Sequence, residues 1–286
     1  MMLRLGTTAA AGLILALTAC DGGAERTATA DASAPTARAP APAAPPNPTT
    51  PTAPAPAPAP AARFTADTKV STDDYDFTYT VPADVVAIPA LTGWFEADRD
   101  AVRAGVAKDA AEFRKDATAN DFPFRKYEST TVWKRVTSTP RFLSLSAETY
   151  AYTGGAHGSP GFRGLVWDRQ AGQRLEPTEI FTSDRAIQQA VGAAFCDALD
   201  VQRGKRRGRP VVRSSGDSFD GCPKVSETTL ILGSTNGQAI DRIGLLVGPY
   251  VAGPYAEGAY DLTLPVTPTL LRAVKPEYRA GFIARG

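Results

Sequence analysis

Between Asp21 and Ala62 the chain is almost wholly alanine, proline and threonine, with Pro54-Ala55-Pro56-Ala57-Pro58-Ala59-Pro60 near its end. Such a stretch holds too little apolar surface to offset the entropy of ordering it, and its prolines fix φ, so an extended polyproline-like spacer is expected. At about 3.1 Å per residue it would reach on the order of 100 Å. No Pro-x-x-Pro pattern with basic flanks stands out, which favours a spacer over a recognition ligand. Any packed core must therefore come from residues 64–286, enough for one large domain or two small ones.

The residues before the spacer read as an export signal. Arg4 supplies a positive charge, and Ala9 to Thr18 form an apolar run containing Leu13, Ile14, Leu15 and Leu17. That run is well short of the roughly 20 residues of a membrane-spanning helix. It ends in Leu17-Thr18-Ala19-Cys20, which resembles the lipobox of bacterial lipoproteins, in which the cysteine is diacylated. The resemblance implies a signal peptide over 1–19, lipidation of Cys20 and a tether over 20–63. The chain is then expected at the cell envelope, held to a membrane by its lipid, on the periplasmic or surface side. Asp21 resembles the inner-membrane retention signal of enteric bacteria, but the choice between inner and outer membrane stays open.

A formal net charge of +1 and a pI of about 7.7 give no reason to expect nucleic acid as a partner. The one basic run, Arg203 to Arg209, contains two glycines and precedes Ser214-Ser215-Gly216-Asp217, so it reads as an exposed loop that an anionic lipid or wall polymer could touch. Beyond Cys20 two cysteines remain, and in an exported chain Cys196 and Cys222 are expected to pair. In the chain-entropy model such a bridge contributes about 3–4 kcal/mol.

Periodicity places two helices. Over Asp98–Ala117, Val102, Val106, Ala110, Phe113 and Ala117 form one stripe, with Thr92 as a candidate cap and Glu96, Asp98 and Asp100 in the first turn. Over Asp184–Leu199, the inward set is Ile187, Val191, Ala194, Phe195 and Ala198. Strands are expected where the period changes to two. Leu143, Leu145 and Ala147 alternate with Ser144, Ser146 and Glu148, flanked by runs at 127–137 and 162–168. Further strands are expected at 174–175, 225–232, 243–247 and 260–264. The fold class is α+β: antiparallel sheets with the two main helices packed on one face, and two lobes, 64–160 and 161–286, dividing near a glycine-rich turn.

That turn, Gly154-Gly155-Ala156-His157-Gly158, holds the only histidine of the chain. An imidazole there can satisfy the turn's amides or contact a ligand, and both roles stay open for His157. Tyr150 and Tyr152 alternate on the strand before it. Tyr250 and Tyr255 sit in Gly248-Pro249-Tyr250-Val251-Ala252-Gly253-Pro254-Tyr255-Ala256-Glu257-Gly258, whose prolines hold an extended, kinked loop. These four tyrosines and His157 are the binding candidates, since a tyrosine combines an apolar body with a polar tip. Trp94, Trp133 and Trp167 are assigned to packing.

Together with Trp167-Asp168 through Gly172-Gln173-Arg174-Leu175 to Glu179-Ile180-Phe181, these two motifs resemble a known extracytoplasmic region. It is shared by RsiV-type anti-sigma factors and the N-terminal part of PdaC-type peptidoglycan deacetylases. The resemblance covers about 68–286 and implies an α+β unit made of a PdaC-like half, 64–160, and a C-terminal half, 161–286. RsiV-type proteins join it to a membrane helix and a sigma-binding segment, where this sequence carries a lipobox and a tether. PdaC-type enzymes add a metal-dependent deacetylase domain, to which nothing here corresponds. The resemblance thus implies a binding module, with a lysozyme-like protein as first partner and a peptidoglycan fragment as second.

Catalysis is the lesser expectation. A zinc hydrolase needs three protein ligands, usually with two histidines, and only one histidine exists, so no metal or other cofactor is expected. Ala156-His157-Gly158-Ser159-Pro160 is no Gly-x-Ser-x-Gly elbow. A cell-wall hydrolase using His157 with acidic partners remains the alternative, because 30 acidic residues leave many carboxylate pairs open.

Overall fold

The computed structural model describes residues 66–285, so the expected signal peptide, the lipidated Cys20 and the tether lie outside the described residues. The described residues form one compact unit. Among the described residues no helix is long and apolar enough to cross a membrane.

The first sheet has six strands in sequence order. They are β1 (Asp67–Ser71), β2 (Tyr75–Thr80), β3 (Tyr127–Ser138), β4 (Phe142–Tyr152), β5 (Ser159–Asp168) and β6 (Gln173–Leu175). Four of the five pairings are antiparallel; β2 and β3 run parallel. A parallel pair needs a long crossover, and α1 (Ala83–Val86) with α2 (Pro89–Ala119) supply it. Alternation in β2 sends Tyr75, Phe77 and Tyr79 inward, and β3 and β4 add Trp133, Leu143, Leu145 and Ala147 to the same core. Leu91, Phe95 and Ala110 of α2 close that core, with Val102, Val106 and Phe113 partly buried against it.

The first helix starts earlier than its stripe implies. Pro89 occupies the first turn, where its missing N–H costs nothing, and Thr92 donates its hydroxyl to the carbonyls of Val86 and Ile88 instead of capping. Glu96, Asp98 and Asp100 therefore sit beyond the first turn. Asp98 has another role, accepting from both terminal nitrogens of Arg163 (2.8 and 2.6 Å) and from Tyr79 Oη (2.6 Å). Burial and that carboxylate push the Tyr79 phenol far above its ordinary pKa. Trp133 Nε1 donates to the same hydroxyl at 3.0 Å, so no polar atom of this group is left open in the core.

The second sheet has three antiparallel strands, β7 (Thr229–Gly233), β8 (Arg242–Val247) and β9 (Tyr260–Pro265). Residues 225–227, expected as strand, form a single 3-10 turn before β7. The short helix α4 (Pro268–Ala273) follows β9. Packed with this sheet is α3 (Asp184–Arg207), started by Ser183, whose hydroxyl accepts from Ala186 N. Each long helix thus covers its own sheet; they do not share one face. Ile187, Val191, Phe195 and Leu199 are buried, while Ala194 faces outward, because a strict 3.6-residue stripe runs through Gly192 and Leu199 instead.

Two boundaries shift. Position 160 falls inside β5, so the first sheet continues past the glycine-rich turn as far as Leu175. And α3 runs on to Arg207, ending at Gly208 with φ 67, so most of the basic run is helix and not an exposed loop. Cys196 on this helix is bonded to Cys222. The two sheets meet closely at Gly164, where a Cβ would stand 2.7 Å from the carbonyl oxygen of Leu230. Thr229 donates to Phe162 O (3.1 Å) and Leu232 N to Ser144 Oγ (3.1 Å), fixing β7 across one half of the first sheet's outer face.

Candidate functional site

The turn between β4 and β5 is shaped by its glycines. Gly154 has φ 85, a conformation that L side chains rarely adopt. At Gly158 a Cβ would lie 2.2 Å from Tyr150 Cζ, so the Tyr150 ring fills the space any larger residue would need. With the backbone held down on Tyr150, His157 projects outward and is exposed.

Its partners come from the far loop. Tyr255 stacks on the imidazole with ring centroids 3.8 Å apart and planes inclined by 19°. Tyr250 Oη lies 3.1 Å from His157 Nε2, and His157 Nδ1 lies 3.0 Å from Gly158 O. The Tyr250 and Tyr255 rings are 5.9 Å apart. Tyr250 has φ 68, a left-handed value that is unusual for a bulky side chain, and it is 56% exposed. An exposed aromatic held in such a conformation must be over-determined by its surroundings.

The determining contacts come from the basic end of α3. Arg203, fully buried, donates through Nε to Ala252 O at 2.8 Å. Arg207 donates to Glu257 through Nε (2.7 Å) and Nη2 (3.1 Å), and to Ala252 O at 3.2 Å. Arg206 reaches the carbonyls of Glu257 and Ala259, with its guanidinium 3.9 Å from the centre of the Tyr260 ring. A third segment joins through Asp220, which accepts from Arg207 at 2.5 Å two residues before the bridged Cys222. Burial pushes the Glu257 carboxyl up, and hydrogen bonds from Arg207 and Tyr260 outweigh it, so the group sits below the ordinary glutamate range. For Asp220 the Ser215 hydroxyl, with Arg209 and Arg207, acts in the same direction. Within the tyrosine loop, Tyr250 N donates to Gly253 O (3.0 Å) and Val251 N to Gly248 O (3.3 Å).

Of the five candidates, His157, Tyr250 and Tyr255 come together, and Tyr150 supports them from beneath. Tyr152 turns elsewhere, accepting from Arg125 at 3.3 Å. Cys196 and Cys222 form their bridge. The residues that sequence reasoning missed are Arg203, Arg206, Arg207 and Glu257. A signal existed: Arg203 and Arg207 are four apart and continue the buried stripe of Phe195 and Leu199 by one and two turns.

Beside the aromatic cluster the outer face of the first sheet stays open. A cavity of about 360 Å³ is lined by Thr130, Val132, Glu148, Tyr150, Pro160 and Phe162. A neighbouring one of about 420 Å³ shares Glu148 and Phe162 and ends at Tyr260 and Asp261. They adjoin along one trough, in which Lys134 and Glu148 pair at 2.6 Å and Arg135 and Asp261 are the other charged side chains of the lining. Chemically the region offers ring surfaces and hydroxyls. The hydrogen bonds of His157 go to a phenol and a peptide carbonyl, with no carboxylate among them. Among the described residues no group of three or more His, Cys, Asp and Glu side chains is arranged to hold a metal ion.

No curated protein matches this chain. Several solved structures resemble it, among them two of the DUF3298 family. One, of a DUF3298 family member from Bacteroides fragilis, is 20% identical, covers 72% of this chain and 86% of its own, and has a TM-score of 0.45. The other, a DUF3298 family protein from Pseudomonas aeruginosa, is 16% identical, covers 77% and 95%, and has a TM-score of 0.42. The segment that carries β1 to the start of β5, with Tyr150, Tyr152 and His157 but without Tyr250 and Tyr255, is the part with a family match: residues 66–160 fit the family described as "Deacetylase PdaC".

Proposed function

We propose that this chain is an envelope binding module: lipid-anchored at Cys20, spaced from its membrane by the Pro-rich tether, and contacting a lysozyme-like protein through His157, Tyr250 and Tyr255. One observation carries the reading. Two glycine-rich motifs from distant parts of the chain meet as an exposed aromatic cluster, and three arginines at the end of α3, of which Arg203 is fully buried, hold one of them. Tyrosines fixed on a rigid base are favoured at protein interfaces, because they supply contact area with little loss of side-chain entropy. A strained, exposed Tyr250 contributes nothing evident to the core, which supports a role in contact.

A second reading rests on the trough. Two adjoining cavities lined by Tyr150, Phe162, threonines and the Lys134–Glu148 pair offer ring surface and hydrogen-bonding groups to a hydroxyl-rich ligand, such as a peptidoglycan fragment.

The test is calorimetric titration of the disulfide-bonded chain 60–286 with a c-type lysozyme, with muralytic activity followed in parallel. Saturable heat with loss of that activity supports the first reading. Heat from soluble muropeptides alone supports the second, and release of product from them would replace both with the hydrolase that the sequence leaves as its alternative.

A further inference from the structure

In the neutral ring, only one arrangement of protons satisfies both hydrogen bonds of His157. A peptide carbonyl only accepts, so Nδ1, 3.0 Å from Gly158 O, must carry the proton. In the neutral ring Nε2 is then the acceptor, and the Tyr250 hydroxyl 3.1 Å away donates to it. The single phenolic proton is thereby committed inward. The remaining lone pairs of Tyr250 Oη face solvent, on a residue that is 56% exposed.

The cluster therefore presents acceptor oxygen and π-surface and holds its donors back. The cations nearby are engaged elsewhere. Arg206 and Arg207 are tied to the carbonyls and carboxylate behind the loop, and Arg125, beside Gly154, donates to Tyr152. Glu257, the acidic group of the same loop, turns inward to Arg207 and Tyr260. The other titratable groups against the imidazole are Tyr150 below Gly158 and the two tyrosines of the loop.

We propose that this cluster is a receptor for a guanidinium side chain presented by the partner, and that protonation of His157 closes it. The inference rests on the reading of the cluster as a contact surface and names the chemistry it selects. A guanidinium is planar and weakly hydrated; it can lie on an aromatic ring while its fork donates to the outward lone pairs of Tyr250. Protonating His157 opposes it twice. A positive charge enters the cluster, and Nε2 becomes a donor, so the Tyr250 hydroxyl must accept from it and turn its own proton outward.

The experiment exploits the chain's single histidine, whose ring nitrogens give the only imidazole signals in a ¹⁵N spectrum of the untagged, disulfide-bonded protein. With the ring neutral, the spectrum should show the Nδ1–H tautomer. Titration with N-acetyl-arginine amide should then move the His157 signals saturably. The isosteric, uncharged N-acetyl-citrulline amide should bind roughly two- to fivefold more weakly. This preference should vanish once the imidazole is protonated, and also in Tyr250→Phe, which keeps the ring and loses the acceptor.

An Nε2–H tautomer, equal binding of the two amides, or a preference that persists in Tyr250→Phe or in acid would overturn the inference. The proposed function fails separately. Binding of a lysozyme-like protein without arginine preference removes the receptor alone, whereas arginine preference without such binding upholds the receptor and removes the partner.

Discussion

His157 and Tyr255 stack at 3.8 Å, though one belongs to a hairpin turn of the first sheet and the other to a loop between strands of the second. Their contact depends on both sheets being docked and on the α3 arginines holding the loop. Perturbing any of these supports should be readable at the aromatic cluster.

Tyr250→Gly isolates function from stability. Glycine adopts φ 68 freely, so the exchange relieves a backbone cost of roughly 1 kcal/mol or more. It also removes the hydrogen bond to His157 and the exposed ring. Thermal unfolding should shift little or rise slightly, while partner binding weakens at least tenfold by calorimetry.

Gly158→Ala should do the opposite. Its methyl would stand 2.2 Å from Tyr150 Cζ, and overpacking of this kind costs about 1–3 kcal/mol. Truncating the ring makes room, so Tyr150→Ala combined with Gly158→Ala should be less destabilised than the two single changes added together. Denaturant unfolding of the four proteins closes that double-mutant cycle; strict additivity would mean that the ring moves aside freely.

The clamp on the tyrosine loop predicts an acid dependence. The folded state lowers the pKa of Glu257, chiefly by the Arg207 and Tyr260 hydrogen bonds against an opposing burial effect. A depressed carboxylate contributes stability that is present above its unfolded value of about 4.3 and is lost as pH falls through the lower, folded one. Melting temperatures measured downward from about pH 5 should therefore fall more steeply for the native chain than for Glu257→Gln. Parallel curves would show that the pair contributes nothing.

Reduction of Cys196–Cys222, or Cys222→Ala, should cost about 3–4 kcal/mol for a bridge of this loop length. The effect should also reach the aromatic cluster, because Asp220 shares Arg207 with Glu257. Amide exchange over 250–258 should accelerate on reduction more than exchange in β3 and β4 does. Uniform acceleration would instead indicate a bridge that acts on global stability alone.

Much of the fold was legible because it is written in short periods. The alternation of Leu143, Leu145 and Ala147 and the stripe through Ile187, Val191 and Phe195 each report one buried face, and both are buried. Tyr75, Phe77 and Tyr79 carry an equally clear alternation that the sequence reading passes over. The parallel pairing of β2 with β3 has no local signature; it follows from the helical crossover between them. The basic run misled because arginine and glycine near Gly208 look like a loop, whereas a guanidinium can be buried once carbonyls receive it, as Arg203 shows. The site was half legible. Both motifs could be singled out, but His157 and Tyr250, 93 positions apart, are brought together by the docking of the two sheets, which no local pattern encodes.

The aromatic cluster draws His157 from within 66–160 and both of its ring partners from beyond it. Neither segment builds this cluster alone. Grafted alone onto another protein, the first would carry an imidazole with nothing to stack on, and the second a strained tyrosine with nothing to donate to. The two have to travel as a single cassette, and a rearrangement that separates them would erase the surface while leaving each remnant with much of its own sheet.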